Sequence, residues 1–332
     1  MRASPRFFVL GSNSFSGATF ADHLASLGHD VLAASRSAEP HPAFLPYKWQ
    51  TRPGQVRFSV IDINRDLDAL DALLRREKPT HVVNFAAQSM VAESWGNPDH
   101  WMMTNVVSTV RLHERLRRMD WLERYVHVTT PEVYGHTAGW VKEDAPFAPS
   151  TPYAVSRAAS DMSLMTYFAQ YGFPVLFTRA ANVYGPGQPL YRIIPRTILS
   201  ALTGRTLSLH GGGASERSFI HMRDVAAATL AIATGGNVGE TYHIATTATV
   251  TIRELVVMII ARLGKDFDTL VELAPERPGK DTAYRLDSSK LRTALGWTER
   301  VALDQGIDET VRWARDFEAD LLRLPWGYEH KP

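Results

Sequence analysis

The stretch "VLGSNSFSGATF" (residues 9–20) decides how the chain is read. It closes the apolar run Phe7–Leu10, which reads as a buried strand, and opens a helix from about Ser16 to Leu27. Gly11 sits at the strand end, Gly17 in the first helical turn and Ser14 midway, giving G-x-x-S-x-x-G. Gly11 permits a tight turn, and Gly17 lets helix and strand pack closely. The backbone N–H groups of such a helix start face an anion. A glycine-rich turn alone is a common strand–helix connection. Joined to a first strand and a first helix, it predicts a dinucleotide pyrophosphate site.

Outward from this turn the pattern repeats. "HDVLAAS" (29–35), "VRFSVID" (56–62), "HVVNFAA" (81–87), "RYVHVTT" (124–130) and "PVLFTRAANVYG" (174–185) read as strands. Helical patterns lie between them, through "LDALDALLRRE" (67–77), from about His100 to Met119 and from about Tyr153 to Tyr171. Such alternation predicts an α/β fold, a doubly wound Rossmann parallel sheet with right-handed connections. The last third is less regular, with helices expected over 192–204, 224–234, 251–264 and near 286–297. It predicts a smaller mixed α/β substrate-binding lobe. We expect a dinucleotide-binding domain over 1–187, a lobe mainly over 188–332, and parts of 218–250 interleaved with the first.

Composition narrows the function. The 332 residues are 45% hydrophobic and 21% charged, with a formal net charge of +1. That balance argues against a general nucleic-acid or membrane surface, so anion binding must be local. With no cysteine, thiol catalysis, disulfides and Cys-held metals are excluded. The twelve histidines show no metal-ligand spacing, and no metal is expected. Phe7–Leu10 is too short for a signal or a membrane span, which predicts a cytoplasmic protein.

The second strand ends in Ser35 and Arg36, where an acidic residue would hold a ribose 2′-hydroxyl. A guanidinium suits a 2′-phosphate, which favours NADP, with NAD possible. Asp62, ending the third strand, fits either an adenine contact or a helix cap. At the end of the fifth strand, "VTTPEVYG" (128–135) offers the Thr130 hydroxyl and the Glu132 carboxylate. Tyr153 and Arg157 follow four residues apart, on one helix face. An ordinary phenol titrates near pH ~10, so a catalytic Tyr153 needs a cation beside it.

The ordered motifs "GSNSFSG", "NFAAQSMVAESW", "TTPEVYG", "PYAVSRAASD", "RAANVYGPGQ", "ERSFIHMRDVA" and "ERPGKDTAYRLDSSKL" span about residues 6 to 315. Together they resemble the extended short-chain dehydrogenase/reductases, most of all the nucleotide-sugar 4,6-dehydratases. The resemblance implies C4 oxidation of an NDP-hexose, loss of water across C5–C6 and hydride return at C6. It implies Tyr153 as the base at the 4-hydroxyl and Thr130 as its hydrogen-bonding partner. Glu132 becomes the base at C5, and Arg157 stands where the family has Lys. It further implies a dinucleotide held by Gly11, Asn13, Ser14, Phe15, Ser16, Gly17, Ser35, Arg36, Asp62, Ile63, Phe85, Ala86, Ala87, Gln88, Asn105, Thr129, Tyr153 and Arg157. The sugar nucleotide falls to Gln88, Ser89, Glu93, Thr130, Pro131, Glu132, Asn182, Arg192, Arg217 and Arg277. The helices near 100–118 and 153–171 imply a homodimer through a four-helix bundle.

Two residues depart from the family pattern. Pro131 stands where an Asp usually protonates the leaving 6-hydroxyl, and proline cannot donate. Arg157 keeps the charge of Lys but is planar and sheds no proton. These departures keep alive a 5,6-dehydratase or epimerase of the same fold. They also leave a catalytically weak dinucleotide-binding regulator as a reading from another class.

Overall fold

The strand–helix alternation resolves into one large sheet with a lobe at its carboxyl edge. A computed structural model of the chain describes residues 5–137, 139–275 and 285–331. The first part runs β1 (Phe7–Leu10), α1 (Phe15–Ser26), β2 (Val31–Ser35), β3 (Val56–Val60), α2 (Leu67–Glu77), β4 (His81–Asn84), α3 (Pro98–Met102), α4 (Thr109–Leu116), β5 (Arg124–Val128), β6 (Trp140–Val141), α5 (Pro152–Tyr171) and β7 (Val175–Ala180). The second runs β8 (Asn182–Tyr184), α6 (Ile193–Thr203), β9 (Leu207–His210), β10 (Glu216–Arg217), β11 (Phe219–His221), α7 (Met222–Gly235), β12 (Thr241–Ile244), β13 (Val250–Thr251), α8 (Ile252–Arg262), α9 (Phe267–Leu270), β14 (Val271–Ala274), β15 (Arg285–Leu286), α10 (Ser289–Leu295), α11 (Leu303–Asp316) and α12 (Glu318–Leu321).

The main sheet has seven strands in the order β12-β7-β5-β4-β1-β2-β3. All its pairings are parallel, and β1 lies between β2 and β4, with Phe7 opposite Val31 and His81. The chain order reverses across β1 and β4. Such a switch point opens a crevice at the carboxyl ends of the strands, where ligands bind. Both faces of the sheet are covered, so its central strands are apolar throughout rather than alternating. Phe8, Val9, Val83, Val126 and Leu176 are fully buried. On one side Phe20 and Leu24 of α1 pack with Ala226 and Ile232 of α7. On the other, Leu70 and Leu74 of α2 meet Leu112 and Leu116 of α4 and Leu164 of α5. The lobe has its own core, in which Ile194 and Ile198 of α6 meet Leu255 and Ile259 of α8 and Ile307 of α11.

Two features differ from what periodicity suggests. The edge strand β12 comes from the second part of the chain, pairing Thr241–Ile244 with Phe177–Ala180 of β7. The helix expected from His100 is interrupted between α3 and α4 by a π-helical turn, Met103–Ser108. A π turn shifts helix register locally and often marks a functional position. Here it carries Asn105, which is fully buried.

Candidate active site

The turn after β1 is built by exclusion of side chains. Gly11 has φ +82°, and a Cβ there would lie 2.5 Å from Ala86 N. A Cβ on Gly17 would lie 2.3 Å from Gly11 O. Ser14 caps α1, accepting from Gly17 N at 3.0 Å while its hydroxyl donates to Gly11 O at 2.7 Å. Asn13 donates from its backbone N to Ser35 Oγ (2.9 Å) and from its amide to Ser37 O and Ala38 O. Asn13 and Ser35 therefore brace the turn against the loop after β2. Phe15 and Ser16 begin α1 beside them. Phe85 packs on Phe20 at 5.6 Å between ring centroids, and Ala86 N donates to Asn84 Oδ1. The backbone of Phe85 and Ala86 lies directly against Gly11.

Arg36, past the end of β2, donates from Nη1 to Lys331 O at 3.1 Å. Asp62 Oδ1 accepts from Asn64 N at 2.8 Å in a local turn, while Asp66 stands at the start of α2. Ile63 is buried in the core. Asn105 fastens Gln88, accepting from its backbone N (2.8 Å) and donating to its carbonyl (2.9 Å). The same Asn105 amide donates to Ser156 Oγ on α5. The π turn thus ties the loop after β4 to the helix that carries Tyr153.

The corner after β5 holds the expected reactive groups. Thr130 caps a 3-10 turn, Pro131–Tyr134, in which Pro131 occupies the first position, where its missing N–H costs nothing. Thr151 caps α5 by accepting from Ala154 N, and Pro152 starts the helix. Tyr153 is 8% exposed. Burial, and then the Glu132 carboxylate, push its phenol up to about 12; Arg157, the Thr130 hydroxyl and Arg192 pull the other way. The cation alone does not set the phenol low, contrary to what the Tyr153–Arg157 spacing suggests. Thr130, Glu132 and Tyr153 nonetheless form one cluster.

Arg157 is 2% exposed and faces inward. Its Nη2 donates to Val128 O and lies 3.3 Å from His127 Nε2, while Nη1 is buried with no partner. A guanidinium only donates, so His127 Nε2 must accept. Burial, and then the Arg157 charge, hold His127 well below the ordinary histidine range. Behind it Asp161 pairs with Arg179 Nη2 at 2.8 Å and accepts from Thr129 Oγ1 at 3.0 Å. Asp161 and Arg179 are both buried; removing one partner of such a pair typically costs about 3–5 kcal/mol. His127, Asp161 and Arg179 are site-supporting residues that the sequence reading missed. Two of them lie inside motifs already quoted, "SRAASD" and "TRAANVYG".

The residues expected at the sugar nucleotide lie partly in the loop after β4 and partly on the lobe. Ser89 is exposed and Gln88 is buried. Glu93 Oε2 is buried without a partner. Asn182 begins β8, its backbone N donating to Ser218 O. Arg192 precedes α6 and reaches Met90 Sδ at 3.8 Å. Arg217 lies in β10 and donates to Glu216 O. Arg277 falls outside the described residues. Among the described residues no cluster could hold a metal ion, and no helix is long and apolar enough to cross a membrane.

Residues 8–310 match the family model described as GDP-mannose 4,6 dehydratase. The chain belongs to this family. Within it, the dTDP-glucose 4,6-dehydratase of Streptomyces niveus is 37% identical over 239 residues, covering 72% of this chain and 70% of that one. The dTDP-glucose 4,6-dehydratase of Xanthomonas campestris pv. campestris (strain ATCC 33913) is 36% identical over 260 residues, covering 73% and 74%. The crystal structure of the dTDP-glucose 4,6-dehydratase of Streptomyces venezuelae, with NAD and TYD bound, superposes with a TM-score of 0.86 at 33% identity, covering 95% of this chain and 98% of that one. The 4,6-dehydratase family thus accounts for the Rossmann sheet, the lobe and the order of motifs.

Proposed function

We propose that the chain is an NDP-hexose 4,6-dehydratase in which Tyr153, Thr130, Glu132 and Arg157 carry the chemistry. One observation carries this reading. Thr130, Glu132 and Tyr153 meet at the carboxyl end of β5, two strands from the Gly11–Gly17 turn, inside a 4,6-dehydratase fold. The turn fits a dinucleotide: the bare Gly11 and Gly17 let the strand end, the loop after β4 and the start of α1 pack backbone to backbone, the arrangement that offers helix-start N–H groups to a pyrophosphate. The buried, unpartnered Nη1 of Arg157 fits a ribose hydroxyl. A nicotinamide dinucleotide, when bound, supplies a reversible hydride acceptor. Relatives solved with NAD support a nicotinamide cofactor. Arg36 at the end of β2 favours NADP, tested by comparing the two dissociation constants.

Tyr153 takes the proton of the sugar 4-hydroxyl while Thr130 hydrogen-bonds the same oxygen. Oxidation at C4 makes the C5 proton acidic, and Glu132 removes it. Pro131 cannot donate, so Glu132 returns that proton to the departing 6-hydroxyl, which leaves as water. Charge balance favours this economy, because Glu132 begins and ends the elimination as a carboxylate; return of the hydride to C6 and of a solvent-derived proton to C5 then completes the 4-keto-6-deoxy sugar. Gln88, Ser89 and Glu93 face the sugar, while Asn182, Arg192, Arg217 and Arg277 take the diphosphate and base. Bidentate pairing explains arginine at the diphosphate. Arg217→Ala then raises KM for the sugar nucleotide far more than the dinucleotide dissociation constant.

The assignment is tested with a panel of NDP-hexoses, reading the alkali-dependent absorbance of a 4-keto-6-deoxy product and confirming loss of water by mass spectrometry. NMR of the product separates it from a 5,6-ene. No water loss from any sugar sinks the proposal. We also propose the 1–187 and 188–332 division of labour, and a homodimer through α3–α4 and α5. Exposed Met103, Val107, Val155, Met162 and Met165 on these helices support the dimer, which sedimentation tests.

A further inference from the structure

The segment Trp326–Lys331 crosses from the lobe to the sheet and ends among the residues assigned to the dinucleotide. Its lobe end is anchored: Arg196 Nη1 donates to Trp326 O at 2.9 Å, and the Arg205 guanidinium sits 4.7 Å from the Trp326 ring centre. Tyr328 then packs edge-on against Tyr191 at 5.5 Å. His330 stacks on Trp101 at 5.0 Å and on His100 at 5.1 Å, with His100 Nδ1 2.8 Å from His330 Nε2. The backbone O of Lys331 accepts from Gln88 Nε2 at 2.7 Å and from Arg36 Nη1 at 3.1 Å.

The position of that oxygen matters most. Arg36 follows β2 and Gln88 follows β4, the two strands that flank β1. Next-nearest strands lie roughly 10 Å apart. An acceptor shared by these two donors bridges the carboxyl ends of β2 and β4, the strands on either side of β1 and its Gly11–Gly17 turn. A dinucleotide lying across that turn needs the same space and the same two donors.

We propose that Trp326–Lys331 is a strap docked in the dinucleotide groove, so that strap docking and dinucleotide binding exclude each other. The proposal rests on the assignment of the Gly11–Gly17 turn to a dinucleotide. Cofactor entry requires the 327–331 stretch to swing off α3 while Trp326 stays on the lobe. The docked population lowers the apparent affinity for the dinucleotide in proportion to its occupancy.

The chain has no cysteine, which permits a clean test. A His100→Cys/His330→Cys double variant is bridged with dibromobimane, whose fluorescence reports the bridge, and NAD and NADP are titrated calorimetrically before and after. The expected result is binding by the unbridged protein and at least a tenfold loss on bridging. Equal binding by both forms, or failure of the bridge to form, overturns the strap alone. An unbridged protein that binds neither dinucleotide overturns the underlying site assignment as well. In the cysteine-free chain, His330→Ala weakens docking, so dinucleotide binding tightens and its association accelerates several-fold. Weaker binding and faster release would mean that the segment covers the bound cofactor, and would also overturn the proposal.

Discussion

The turn after β1 and the corner after β5 stand two strands apart on the same sheet edge, yet they are made in opposite ways. At Gly11 and Gly17 the chain works by having no side chain, because a Cβ would collide with backbone at 2.5 Å and 2.3 Å. At Thr130–Glu132 it works through side chains, and even proline is accommodated. The first is a steric device that needs only short-range backbone geometry. The second is an electrostatic device whose behaviour depends on what is buried around it. Changes at the turn should therefore alter binding, and changes at the corner should alter turnover.

Tyr153→Phe gives the largest expected effect. It should lower kcat about 10³–10⁴-fold, the upper range for a lost proton-transfer group, with dinucleotide affinity little changed. A comparable loss of affinity would break the contrast. Glu132→Gln comes next, lowering kcat on the order of 10²–10³-fold and abolishing solvent deuterium exchange at C5 while C4 oxidation persists. The charge on Glu132 helps to hold the Tyr153 phenol up near 12. Its removal should therefore move the alkaline limb of the oxidation step, followed by reduced-nicotinamide absorbance, to lower pH. An unmoved limb would separate the two halves of the corner.

Gly11→Ala tests the other region. It should weaken dinucleotide binding at least roughly tenfold and cost about 1–3 kcal/mol of stability from strain at φ +82°; kcat at saturating cofactor should hold. Arg157→Lys is smaller. An ammonium cannot reach Val128 O and His127 together as a planar guanidinium does. Turnover and dinucleotide affinity should shift on the order of two- to fivefold, with a lower Tm from the emptied contacts. Unchanged kinetics would refute the role given to Arg157. The last test reads stability rather than turnover, through its pH dependence. Burial holds His113, His221 and His243 down at about 3 against an ordinary 6.5. The folded state thus binds fewer protons than the unfolded one. Stability is complete above about 6.5 and falls as pH drops toward 3, which calorimetry across that range checks.

Much of this was legible in one dimension. Gly11, Ser14 and Gly17 act within one turn, so their spacing carries their geometry. Thr130, Glu132 and Tyr153 could be picked out because strand ends and helix starts are local events. The return of part of 218–250 to the first domain was expected, but the edge strand β12 itself was not legible, since T-Y-H-I alternates weakly and gains its place only by pairing with β7. Neither was the π turn, which forms where Asn105 must reach both Gln88 and Ser156.

The sequence by itself determined the α/β alternation, the Gly11–Gly17 turn, the Thr130, Glu132 and Tyr153 trio proposed to react, and the departures at Pro131 and Arg157. Local sterics and periodicity suffice for those. Only the tertiary structure decided the state of Tyr153 and the direction Arg157 faces. Both follow from burial and from groups brought in by other elements: the Glu132 and Arg192 charges at the phenol, and Val128 O and the neutral His127 ring at the guanidinium. It alone also brought Lys331 to Arg36 and Gln88, across 295 and 243 residues of chain. No periodicity encodes contacts of that separation; they exist only once two lobes have folded and met.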